Sequence, residues 1–416
     1  MALPSVDEHA RPGALDIELD ERIATVVAQP SVEIEQRREK NPRWANIQFA
    51  SLCLAVFLGG WNDGSTGPLL PRIQTVYHVG YTIVSIVFVL NSIGFVAGSI
   101  SNIYLTDKLG FGKVVVLGSV APLIGYCLQA PAPPFPLFCL SFCFNGFGLA
   151  LQDAQASGYV ASYKENAASR MGLLHAFYGA GAFAAPLVAT QFSHMHRWSL
   201  YYLVSLGVAL LNTASLVAVF RFKTQDECLD QIGQAREDAD TSHDAQGGKY
   251  GQIFRLKALH LLAFFILVYV GIGGAIGGWI VTFIVEVRGG GSSSGYVSAG
   301  FFGGLTLGRV ALLWVNKKVG ERHAIFLYIL LAIGLELVVW LVPSLIGSAV
   351  AVSLIGFLFG PIYPIVMNEA GRVLPRWLLT GCIGWIAGFG QTGSAVLPFL
   401  TGAIASKTGI KSLQPL

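Results

Sequence analysis

Charge is what this sequence has least of. Only 12% of its 416 residues are Asp, Glu, Lys or Arg, about half the share a soluble domain carries, so the chain cannot clothe a water-facing surface of its own size. Its net charge of +3 is too small to imply a nucleic-acid partner. Cysteine is scarce as well. The six present follow no metal-ligand or disulfide spacing, and Cys53, Cys127, Cys139, Cys143 and Cys382 lie inside apolar runs, where a thiol serves as a small hydrophobe. A Gly-x-x-x-x-Gly-Lys phosphate loop is missing, which argues against ATP-driven transport. No nucleophile elbow and no metal-binding cluster stands out, so neither an enzyme nor a cofactor is indicated. The amino terminus carries Asp7, Glu8, Asp16, Glu18, Asp20 and Glu21 without an early apolar core, unlike a cleaved signal peptide.

What the chain has in abundance is apolar surface: 53% hydrophobic residues and a mean hydropathy of +0.59. Its 49 glycines recur within the apolar runs, a habit of membrane helices whose backbones approach closely. Crossing hydrocarbon takes roughly 20 helical residues. Runs of that kind are expected near 45–66, 81–103, 113–130, 137–162, 171–192 and 199–220, then near 258–286, 293–315, 323–342, 346–368 and 377–403. That makes eleven.

The polar stretches organise these spans. Residues 1–42 read as a disordered tail, 43–220 as a bundle of six helices, 221–257 as a solvated linker, and 258–416 as a second bundle. With the tail cytoplasmic, fifteen Lys and Arg fall in loops on its side and five on the other, the bias that sets orientation.

Between the second and third runs lies Tyr104-Leu105-Thr106-Asp107-Lys108-Leu109-Gly110-Phe111-Gly112-Lys113. This resembles the loop signature of the major facilitator superfamily, although Ile103 stands where that pattern usually begins with Gly. Asn316-Lys317-Lys318-Val319-Gly320-Glu321-Arg322 echoes it in the second half without the Asp, as expected of two halves descended from one unit. Gly60-Trp61-Asn62-Asp63-Gly64-Ser65-Thr66-Gly67-Pro68-Leu69-Leu70-Pro71 looks like the Asn-Asp…Pro element of fucose-permease-like facilitators. With Gln152-Asp153-Ala154-Gln155 and His175-Ala176-Phe177-Tyr178-Gly179, the pattern is similar to a fungal branch of that group, the one containing the "bypass of stop codon" membrane proteins. The resemblance spans about residues 44 to 416 and implies an all-α membrane fold of two six-helix bundles, a central cavity and alternating access. The family has twelve spans, so the chain reads as eleven with the twelfth missing.

An ionised side chain at mid-bilayer costs about 2.5–3.5 kcal/mol on insertion scales, so each one needs a reason. Asp63, beside Asn62, reads as a proton- or sugar-binding carboxylate in a locally broken helix; the alternative is a cap near the outer interface. Asn145, Gly148, Gln152, Gln155 and Tyr159 share one helical stripe, with Asp153 about 100° around. Amides suit hydroxylated solutes because each offers a donor and an acceptor, or they simply bind helix to helix. A carboxylate out of water can load and release a proton near neutral pH, which makes proton coupling the expected task of Asp153. His175 and Tyr178 share a face and serve either as a protonation site or as structure. Gln391 follows as a cavity candidate. Trp279 and Tyr363 either stack on a ring or pack, and Gly360-Pro361 is expected to bend its helix. Asp107, Lys108 and Gly110 form the loop motif, and Arg309 is a gating candidate.

These residues point to a secondary active or facilitative transporter of a small polar solute, sugar-like as a first class. It is expected to be proton-coupled as a symporter, and to work as a monomer in a lipid bilayer, the plasma membrane before internal ones. Two other readings stay open: a membrane sensor or inactive truncated transporter that carries nothing, and a drug or metabolite exporter.

Overall fold

A computed structural model describes residues 41–163, 166–233, 255–375 and 379–414. Every regular element among them is helical. Lipid explains this, because each backbone N–H and C=O must find its partner within the chain, and a helix satisfies them segment by segment.

The amino-terminal half contains α1 (Pro42–Tyr77), α2 (Tyr81–Leu109), α3 (Phe111–Gln129), α4 (Phe135–Ala161), α5 (Ala167–Ser193) and α6 (Tyr201–Phe220). A short α7 (Gln225–Gln231) follows. The carboxy-terminal half contains α8 (Lys257–Val287), α9 (Tyr296–Ala311), α10 (Leu313–Val319), α11 (Glu321–Leu341), α12 (Leu345–Val373) and α13 (Leu379–Thr408). Nine helices among the described residues are long and apolar enough to cross a membrane, and the pair α9–α10, bent by 51°, makes up to ten when counted as one broken span. At 30 residues α13 has the length too, but Gly388, Gly390, Gln391 and Thr392 dilute its apolar run. The expected eleven thus meets nine clear spans, one bent span and one polar-interrupted helix.

Packing repeats between the halves. In the first, α5 lies against α1 and α4 against α2; in the second, α13 lies against α8 and α12 against α9. Small residues bring the backbones together: a Cβ on Gly60 would stand 1.9 Å from the Tyr178 carbonyl oxygen of α5. The halves meet where α5 faces α9, α2 faces α13 and α1 faces α8.

Three expectations change. The first span was expected to end near 66, with a break at Asp63; α1 instead runs unbroken to Tyr77 with Pro68 and Pro71 inside it. Each proline removes one N–H, a loss that packed neighbours absorb in membrane helices. Gly360-Pro361 does interrupt its helix, splitting α12 into Leu345–Phe359 and Ile362–Val373. The linker is not wholly solvated where it is described, because α7 buries Cys228 and Leu229. The tail expected over 1–42 lies outside the described residues, except Asn41 and Pro42, which already cap and begin α1.

Candidate functional site

The halves are joined unevenly. On the face away from the amino terminus (the far face), Tyr81 of α2 donates to Glu286 of α8, Gln191 of α5 donates to Tyr296 of α9, and His194 Nε2 meets the Ser292 carbonyl at 2.6 Å. Thr82 joins Ser406 of α13, hydroxyl to hydroxyl, at 2.6 Å. At mid-depth Ser92 of α2 donates to the Gln391 carbonyl at 3.4 Å. Toward the opposite, tail face, the hydrogen bond described between the halves is a long one, from Arg309 Nη1 to the His175 carbonyl at 3.5 Å. The cleft is therefore sealed on the far face and loosely held on the tail face.

Asp63 lies at mid-helix yet is exposed, which places its carboxylate on that cleft rather than in packed core. Tyr178 of α5 donates to its Oδ2 at 2.6 Å, and Asn62 Nδ2 donates to its Oδ1 at 3.2 Å. The half-buried Asp153 of α4 lies within Coulombic range of His175 and of Tyr178. From the other half, Arg309 reaches the same His175 and Tyr178. Tyr269 of α8 lies beside that guanidinium and donates its own hydroxyl to the Phe359 carbonyl at 3.0 Å. Tyr363 stands 6.5 Å from the Tyr269 ring, centroid to centroid, and within range of both Asp153 and Arg309. Two carboxylates, an imidazole, a guanidinium and three phenols thus come together from α1, α4, α5, α8, α9 and α12. This arrangement can exchange protons and can hydrogen-bond a polar solute from both sides.

Other expected ligand contacts are turned away. Asn62 and Asn145 are buried, bonded to one another at 3.3 Å, with Tyr126 and Gln129 of α3 around them. Gln152 donates to the Gly118 carbonyl of α3 at 3.1 Å and accepts from Asn212 of α6 at 2.6 Å. Gln155 donates to Asn102 and Thr106 of α2, each at 2.6 Å. The amide stripe therefore binds helix to helix within the first half, the second of the two roles open to it. Trp279 is fully buried, its Nε1 donating to the Pro398 carbonyl at 2.9 Å; it packs. Gln391 is half-buried where α13 meets α2. The loop motif sits at the tail end of α2. Gly110 takes φ 81°, a conformation that favours glycine, while Asp107 and Lys108 are exposed and Lys108 lies over the Tyr104 ring. Sequence reasoning missed Tyr269, since one aromatic in an apolar run carries no sign of its partner.

Comparison with known proteins fits this geometry. A model of the Major Facilitator Superfamily matches residues 52–398. Bypass of stop codon protein 6 of Saccharomyces cerevisiae is 26% identical over 390 residues, covering 88% of this chain and 78% of its own length. A glucose/galactose transporter of Brucella abortus is 23% identical, covering 88% and 90%. Among solved structures, the E. coli fucose:proton symporter superposes with a TM-score of 0.61 at 17% identity, covering 88% of this chain and 94% of that one. A D-xylose-proton symporter gives 0.69 at 11% identity, with coverage of 89% and 96%.

Proposed function

This chain belongs to the Major Facilitator Superfamily, and from that premise we propose that it carries a small hydroxylated solute across a membrane together with protons. The observation that carries the reading is Asp63: a carboxylate at mid-span, open to the cleft between two repeat-related halves and held by Tyr178. An acidic side chain at that depth is costly unless it serves a pathway. A similar protein is a glucose/galactose transporter, and two proteins of the same fold are a fucose:proton and a D-xylose-proton symporter, which makes sugars the first class to test.

In this reading the tail face is cytoplasmic, in keeping with the excess of Lys and Arg there, and the loosely held cleft is the inward-open state. Asp153 and Asp63 take up and release the proton, with His175 between Asp153 and Arg309. Closing the tail face while parting the Tyr81–Glu286 and Thr82–Ser406 contacts exposes the same site to the other side. One proton per solute lets a gradient of one pH unit, about 1.4 kcal/mol, hold roughly a tenfold concentration ratio.

Proteoliposomes loaded with galactose, fucose or xylose test this directly. Asp153→Asn is expected to abolish accumulation driven by a pH gradient while leaving solute exchange intact. Unaltered pH-dependent uptake in that variant removes Asp153 from the mechanism.

A further inference from the structure

Arg309 lies in the last turn of α9, half-buried, where the second half faces His175. A guanidinium stays charged in a protein and is costly in a membrane without a counter-ion. Yet the ion pairs among the described carboxy-terminal residues are Arg322–Glu369, Arg372–Glu321 and Arg372–Glu369; none joins Arg309 to Asp63 or Asp153. Its Nε is buried with no hydrogen-bond partner, and its Nη1 has the 3.5 Å contact to a carbonyl. The two carboxylates of the cleft stand on the other half, on α1 and α4. The fork of an arginine matches a carboxylate with two parallel hydrogen bonds.

We propose that Arg309 receives the anionic group of the transported solute, so that the solute is a hydroxylated carboxylic acid of the sugar-acid type rather than a neutral sugar. This rests on the transporter reading above and sharpens it. The facing groups then set the coupling. His175 and Tyr178 on α5, Tyr269 on α8 and Tyr363 on α12 lie within Coulombic range of the guanidinium; Asp153 on α4 lies within range of His175 and Tyr178 in turn, and Asp63 on α1 within range of Tyr178. With both aspartates ionised, an entering carboxylate meets two like charges in a medium where such repulsion is weakly screened. With Asp153 protonated, Arg309 balances Asp63, one of the two like charges is gone, and the acid binds at the guanidinium. Proton and carboxylate bind together, and the pair crosses with no net charge.

The test uses the full chain in proteoliposomes, with D-glucuronate and D-galactose as probes, under an imposed pH gradient or a potassium diffusion potential. Glucuronate is expected to accumulate with the pH gradient and to ignore the potential. Arg309→Gln is expected to weaken glucuronate binding about tenfold or more, the loss of a charge-assisted contact, and Arg309→Lys to keep part of it. Tryptophan fluorescence titrations read this affinity apart from turnover, and gel filtration shows that each variant is folded. The electroneutrality of wild-type glucuronate uptake needs no variant at all. Galactose uptake driven by the potential, with glucuronate excluded, overturns the acid class and leaves the transporter reading standing. Equal loss of both solutes in Arg309→Gln makes Arg309 a counter-ion of Asp153 instead and overturns the proposal. Neither solute moving under any gradient overturns both.

Discussion

The Tyr178 hydroxyl donates to Asp63 Oδ2 at 2.6 Å, and it does so beside the point where α1 and α5 press backbone to backbone. Gly60 meets the Tyr178 carbonyl, and a Cβ on Gly181 would stand 2.1 Å from the carbonyl oxygen of Phe57. Close approach of the helices thus sets the phenol at hydrogen-bonding range of the carboxylate. Distance, not flexibility, governs this pair.

Tyr178→Phe removes one hydrogen bond and almost no volume. Stability is expected to fall by only about 1 kcal/mol, while pH-driven accumulation falls several-fold because Asp63 loses its fixed partner. Asp63→Asn is expected to abolish accumulation outright, since an amide cannot carry the proton. Both are read as the pH profile of uptake beside exchange at a single pH. A Tyr178→Phe profile that overlays the wild type shows the bond to be structural only.

Much of this was legible in the residues. The scarcity of charge and the repeated apolar runs dictate membrane helices, and Asp107-Lys108-Leu109-Gly110 carries the family. Asp63 and Asp153 stood out because lipid leaves so few reasons for an acid. The stripe of Asn145, Gln152 and Gln155 shows where the reading stops. Periodicity tells which side chains share a face but not what that face meets, and this one meets α1, α2, α3 and α6. Asp153, one step around from Gln152, faces the cleft instead. A break expected at Asp63 does not occur, and α1 passes through Pro68 and Pro71 as well, because tertiary packing decides whether a membrane helix tolerates proline. Tyr269 became visible only when folding set it beside Arg309, more than thirty residues away in the chain.

The far-face seal is open to a chemical lock. Thr82 and Ser406 hydroxyls lie 2.6 Å apart across the two halves, a spacing that places two sulfurs close to the disulfide distance of about 2.05 Å after small adjustment. Thr82→Cys combined with Ser406→Cys is expected to cross-link under mild oxidation and to stop transport by holding the far face shut. A reductant is expected to restore it. Non-reducing digestion and mass spectrometry verify the bond. Continued transport by fully cross-linked protein rules out opening at this seam.

The linker helix α7 offers a test outside the membrane. Thr224 and Glu227 form a capping box, with Thr224 N–H donating to Glu227 Oε2 at 2.7 Å and Glu227 N–H donating to Thr224 Oγ1 at 3.3 Å. Trp44 Nε1 donates to Gln231 at 3.0 Å and Gln48 Nε2 to the Cys228 carbonyl at 3.3 Å, so α7 docks on the start of α1. Burial pushes the Cys228 thiol up to about 11, with Lys223 opposing and Glu227 adding. The docked state favours the neutral thiol. Its stability is therefore whole below the ordinary thiol value of about 8.5 and declines as pH rises from there toward about 11. Since the thiolate is the reactive form, maleimide labelling of Cys228 is expected to be slow at pH 7 and to climb steeply above pH 8.5 or so. Thr224→Ala removes the cap, at a cost of about 1 kcal/mol, and is expected to speed labelling at pH 7 roughly fivefold by letting α7 open. Peptide mapping assigns the modified thiol. Labelling of wild-type Cys228 at pH 7 as fast as a free thiol shows that α7 is not docked on α1.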